Sequence, residues 1–180
     1  MQKVLLTARV VAALLGFSQV APAFAAARIE PANTEFTAKG PISFAKSIIN
    51  ADCTIQVSGR ISADGSYVSV DKVGFDGGLK CGQVEATQVE ATHLPWKLIA
   101  KDETSGAMSG IQVTVHAPLV GGDCGPTTAE GSWNNSTGKL QANNVALDGG
   151  CTIKTVSIQM PPTFRVVALS RRPFTQHQAF

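Results

Sequence analysis

The chain has 180 residues, of which 44% are hydrophobic and 16% charged, and its formal net charge is +2 at pH 7. That length suits one domain able to bury an apolar core. No basic patch stands out apart from Arg171-Arg172, which excludes the clustered phosphate-binding surface that a nucleic-acid partner requires.

Residues 1–25 read as a secretory signal peptide. Lys3 and Arg9 supply positive charge, Val10 to Val20 form a short apolar stretch, and Ala23-Phe24-Ala25 is a small-x-small cleavage pattern. Cleavage would leave a mature chain starting near Ala26, with a single domain over 26–169 and an exposed tail over 170–180. The apolar stretch is too short for a comfortable bilayer span. No later run approaches that length, so the mature chain is expected to carry no transmembrane segment. Without Lys3 and Arg9, 13 basic residues balance 13 acidic ones. A neutral surface does little to hold copies apart, so self-association is permitted.

From Ala26 to Pro41 the chain reads as an extended lead-in with a short strand around Thr34 to Ala38. Cys53 to Ser62 is the first clear strand. Ile55, Val57 and Ile61 share one face, and Thr54, Gln56, Ser58 and Arg60 share the other. Ala63-Asp64-Gly65-Ser66 supplies a turn. Tyr67 to Phe75 returns as its partner, with Val73 and Phe75 out of phase with Val68 and Val70, which predicts a bulge or strand end near Lys72. Gln83 to His93 shows no helical stripe and reads as loop plus a short strand. Strands follow at Trp96 to Lys101 and Gly110 to Ala117, separated by a polar turn over Asp102 to Gly106. Thr127 to Trp133 and Lys139 to Leu147 flank a turn at Asn134 to Gly138. Cys151 to Met160 is the next strand, Pro161-Pro162 ends it, and Thr163 to Leu169 closes the domain.

The four cysteines fall into two similar frames. Cys53 and Cys81 are 28 positions apart, Cys124 and Cys151 are 27 apart, and an Asp-Gly-Gly precedes the second cysteine of each pair. Four cysteines on an exported chain allow three pairings. The repeated frame favours Cys53–Cys81 and Cys124–Cys151, each bridge local to its own hairpin. Zinc is disfavoured, because the short Cys-x-x-Cys spacing of most zinc sites is missing. Many short strands with turn residues between them indicate an all-β fold, an antiparallel β-sandwich or flattened barrel with two disulfide-stapled hairpin units.

No catalytic, cofactor or metal set is legible. His93, His116 and His177 lack ligand spacing, and no Gly-x-Ser-x-Gly elbow occurs. Asp76, Asp123 and Asp148 lie near glycines, but one carboxylate per turn is too few for a calcium site. Asn134 to Thr137 contains two overlapping glycosylation acceptor patterns, which a turn role explains equally well. Trp96 and Trp133 occupy strand positions where an aromatic ring ordinarily fills the core; the functional alternative is contact with an apolar ligand.

Several pieces taken together resemble the PraB-type family of protein activators of alkane oxidation. They are Pro31 to Ala38, the Cys53 strand with Asp64-Gly65-Ser66, Leu94-Pro95-Trp96, Cys124-Gly125-Pro126, Gly131 to Asn134, and Gly149 to Ile153. The likeness runs from about Pro31 to Val166. It implies an exported, non-enzymatic accessory protein, extracellular, on the cell surface or periplasmic, that promotes growth on long-chain alkanes. The expected partner is a hydrocarbon or lipid surface, met by a mildly apolar β-face. The alternative is a structural subunit of surface fibres or biofilm matrix, assembled by strand addition. A hydrolase would need a base-and-nucleophile constellation that is not visible.

Overall fold

The structure, a computed structural model, describes residues 27–77, 81 and 88–169. The expected signal peptide at 1–25, the tail at 170–180 with His177, and the opening residues of the 83–93 segment lie outside the described residues. Eleven strands form: β1 (Ala27–Glu30), β2 (Glu35–Lys46), β3 (Ile49–Ile61), β4 (Val68–Asp76), β5 (Gln88–Thr92) and β6 (Trp96–Ala100) are followed by β7 (Ser105–His116), β8 (Gly122–Asn134), β9 (Lys139–Leu147), β10 (Cys151–Gln159) and β11 (Arg165–Ala168).

Eight of them close into an antiparallel barrel in the order β7-β6-β4-β3-β2-β10-β9-β8, with β8 returning to pair with β7. Of the two expected architectures, the barrel is the one formed. β7 makes this possible, because it is paired on both edges: β6 and then β5 along one, β8 along the other. Closure removes the exposed ladder edges of an open sheet.

Alternation fixes which face of each strand turns inward. Along β3, Ile49, Ala51, Cys53, Ile55 and Val57 are buried while Asn50, Asp52, Thr54 and Gln56 are exposed. A one-residue slip would reverse that set. Each fully buried Val or Ile contributes about 1.5–3 kcal/mol, so the register is strongly held. The expected phase change in β4 is a bulge: pairing passes from Ser58↔Lys72 to Gly59↔Val70, leaving Asp71 extra. Gly59 is required there, since a Cβ would sit 1.8 Å from Ser69 O.

β2 extends well beyond the expected short strand and runs through Gly40 and Pro41. It pairs with β3 along its whole length, from Glu35↔Arg60 to Lys46↔Ile49, so β3 begins at Ile49 and not at Cys53. β7 and β8 likewise start five residues earlier than their alternation suggests.

The two ends of the barrel differ. At one end β1 and β11 pair with each other and bury Ala27, Ile29 and Val166. Phe164 packs edge-on to Phe36 at 5.5 Å between ring centroids, with the Trp133 ring at 6.5 Å. At the other end lie both disulfides, Cys53–Cys81 and Cys124–Cys151, paired as the repeated frames predict. Lys46, at the end of β2, is buried there. Its Nζ donates to Gly149 O at 3.0 Å and Asp123 O at 3.3 Å, and lies 3.4 Å from Cys151 Sγ.

Candidate functional site

Among the described residues, most of the apolar surface faces inward. The exposed large aliphatic side chains, Ile48, Ile99, Leu119 and Leu169, fall on separate elements, and single apolar residues scattered in this way are ordinary on a protein surface. The described strands therefore present no continuous apolar outer face of the kind the sequence suggests. Inside the barrel, however, packing is incomplete. A cavity of about 80 Å³ is lined by apolar side chains that include Ile42, Phe44, Trp96, Met108, Ala129 and Val145. An eight-stranded barrel is wide enough either to be filled by its side chains or to hold one small ligand. Here it is nearly, but not fully, packed.

The cavity lining runs outward between β8 and β9 to Glu130 and Gln141, both exposed. The hairpin that joins these strands is paired only next to its turn, at Ser132↔Gln141, Trp133↔Leu140 and Asn134↔Lys139. The same register resumes at the far end, where Gly125 N donates to Asp148 O at 2.9 Å. Asp148 N donates to Thr127 Oγ1 at 3.3 Å beside it. Between these pinned ends no ladder pair joins Thr128–Glu130 to Asn143–Val145, and a slit is left in the barrel wall.

Local sequence accounts for the parting. Pro126 has no N–H to donate, and Gly125 before it takes a φ of 99°. Across the slit, Asn144 sits at a φ of 52°, in the left-handed region that Asn tolerates better than most residues. The inward set of β9 changes phase there, from Leu140 and Ala142 to Val145 and Leu147. On the outer lip, Glu130 forms an ion pair with Lys101.

Trp96 opens β6 and lines the main cavity, with its Nε1 donating to Thr92 O at 3.1 Å. Trp133 lines a second, smaller cavity of about 30 Å³ near Phe164 and β11. Its Nε1 donates to Asn135 Oδ1 at 2.7 Å, and Asn135 also bonds Val166 through N at 2.9 Å and O at 2.8 Å. Asn135 therefore ties the β8–β9 turn to β11. Its neighbour Asn134 accepts from Ser136 N and Thr137 N, which gives both acceptor-pattern asparagines a turn role.

The remaining polar candidates are dispersed. His93 Nδ1 faces Gln112 Oε1 at 3.0 Å, and His116 Nε2 faces Glu90 Oε2 at 3.2 Å. Asp123 accepts from Thr114 Oγ1 at 2.6 Å. Among the described residues, no group of three His, Cys, Asp or Glu is placed to hold a metal. No helix among them is long and apolar enough to cross a membrane. Strand alternation does not reveal the slit, although Gly125-Pro126 and Asn143-Asn144 carry its signal.

The family described as alkane oxidation protein activator, PraA/PraB-like, matches residues 1–168. No curated protein and no solved structure matches the chain. The chain belongs to the PraA/PraB-like family of alkane oxidation activators.

Proposed function

We propose that this family member is an exported, non-enzymatic accessory protein that promotes growth on long-chain alkanes by engaging hydrocarbon directly. The observation that carries this reading is the apolar cavity inside the barrel, reached from the surface between β8 and β9. Family membership supplies the physiological context. Two disulfides suit an oxidising compartment outside the cytoplasm. The signal-like 1–25 segment, the small-x-small motif at Ala23 to Ala25 and the dispersed polar groups support export and a non-catalytic role. Assembly into fibres by strand addition would call for an open terminal strand. β1 and β11 pair with each other, so neither terminal strand is wholly unpaired, and each keeps one free edge in its two-stranded sheet.

Gene deletion tests this. Growth on hexadecane is expected to slow while growth on glucose is unchanged, and purified protein added to the medium restores it. Equal growth of mutant and parent on hexadecane would contradict the proposal.

A further inference from the structure

The cavity's size, its largely apolar wall and the unpaired stretch of β8 and β9 beside it together select a ligand. The wall is apolar from Phe44 through Trp96 to Val145. A polar headgroup placed inside would lose its hydration with nothing to replace it. The volume of about 80 Å³ is roughly half of the ~150 Å³ apolar cavity that accepts benzene. An aromatic ring is too large for it, and the narrow end of an aliphatic chain is not. Beside the unpaired stretch of β8 and β9 the cavity is lined by residues of small or modest bulk, Ala129, Ala142 and Val145, and the exposed Glu130 and Gln141 belong to the same lining.

We infer that the barrel takes up the methyl terminus of a single unbranched alkyl chain through the slit between β8 and β9, leaving the rest of the chain outside. This rests on the hydrocarbon-directed reading above and makes it specific: the bound unit is one chain end, not an oil surface. Each methylene that enters tightens binding by about fourfold until the cavity is full. The part of the chain left outside adds little, so affinity levels off as chains lengthen.

Brominated dodecanols test the inference, because bromine quenches tryptophan fluorescence on contact. Dodecanol carrying bromine at its far terminus is expected to quench the purified protein saturably. The isomer brominated beside the hydroxyl is expected not to. Trp133→Phe retains the quenching and Trp96→Phe removes it, since Trp96 lines the cavity. Ala129→Leu and Ala142→Leu, which fill the passage, abolish uptake. Should either leucine variant fail to fold, the two isomers on the unaltered protein still decide the matter. Equal quenching by both isomers, or none by either, overturns the inference. If uptake is seen and hexadecane growth does not depend on the protein, the inference stands and the proposed function falls. If growth depends on the protein and no uptake is seen, the reverse holds.

Discussion

In the first cysteine-framed hairpin, ladder pairing runs from Thr54↔Asp76 to Ile61↔Val68, interrupted only by the bulge at Asp71. In the second, β8 and β9 share only three ladder pairs, all beside the turn, and the hydrogen bonds of Asp148 to Gly125 and Thr127 pin the far end. The two frames are nearly the same length in sequence, yet one makes a continuous wall and the other an opening. The disulfides differ accordingly. Cys53–Cys81 reinforces a hairpin already held by hydrogen bonds, whereas Cys124–Cys151 runs from β8 to β10 at the pinned foot of the slit. Lys46 is lodged against that second bridge alone. A repeated sequence frame therefore does not imply a repeated role. The first half shapes the barrel, and the second leaves it accessible.

The largest expected effect comes from removing the bridges. Replacing either cysteine pair with alanine is expected to cost about 3–4 kcal/mol of unfolding free energy in urea titrations, because the two closed loops are nearly equal. Only loss of Cys124–Cys151 should also change alkyl-chain uptake, since that bridge holds one end of the slit. The same change in uptake from both pairs would erase the distinction between the halves.

Glycine substitutions probe the same contrast on a smaller scale. A Cβ at Gly59 would lie 1.8 Å from Ser69 O, and one at Gly131 would lie 2.9 Å from Gln141 O. In the paired hairpin the backbone has nowhere to move, so Gly59→Ala should destabilise by about 3 kcal/mol; in the open one Gly131→Ala should cost about 1 kcal/mol. Equal losses in thermal unfolding would mean that the second hairpin is as constrained as the first.

Acid gives the smallest effect and separates the two turns. Asp64, in the first, is held down from its ordinary 3.8 to about 2, chiefly by the Ser66 N–H, then by the Ser66 and Ser62 hydroxyls. In the second turn the corresponding acceptor is Asn134, which does not titrate. A carboxylate depressed in the folded state adds stability above its unfolded pKa and loses it as pH falls through the folded value. Amide exchange around Ser62 to Tyr67 should therefore accelerate as pH falls below about 4 toward 2, relative to the intrinsic rate. Exchange around Asn134 to Gly138 should keep its protection. Matching loss of protection in both turns would contradict this assignment.

What is legible in the sequence is local. The alternation of β3, the phase change near Lys72, the Asp64-Gly65 turn and the cysteine pairing all depend on residues close along the chain. The full length of β2 is hidden because Gly40 and Pro41 argue against a strand, and because the β2–β3 turn uses Ser47 at a φ of 51° where a glycine would have marked it. Barrel rather than sandwich follows from β7 being paired on both edges, a long-range fact that no window of sequence contains. Both tryptophans lie on strands as their surroundings in sequence indicate, but only the fold shows that Trp96 faces the main cavity while Trp133 packs toward β11.

Solution NMR with methyl labelling tests the central claim most directly, through NOEs from the terminal methyl of bound dodecanol. Uptake into the barrel predicts NOEs from that methyl to the Ala129, Ala142 and Val145 methyl groups, which line the cavity. NOEs confined to Ile48 and Leu119, on the turns outside the barrel, would place hydrocarbon on the surface and contradict it.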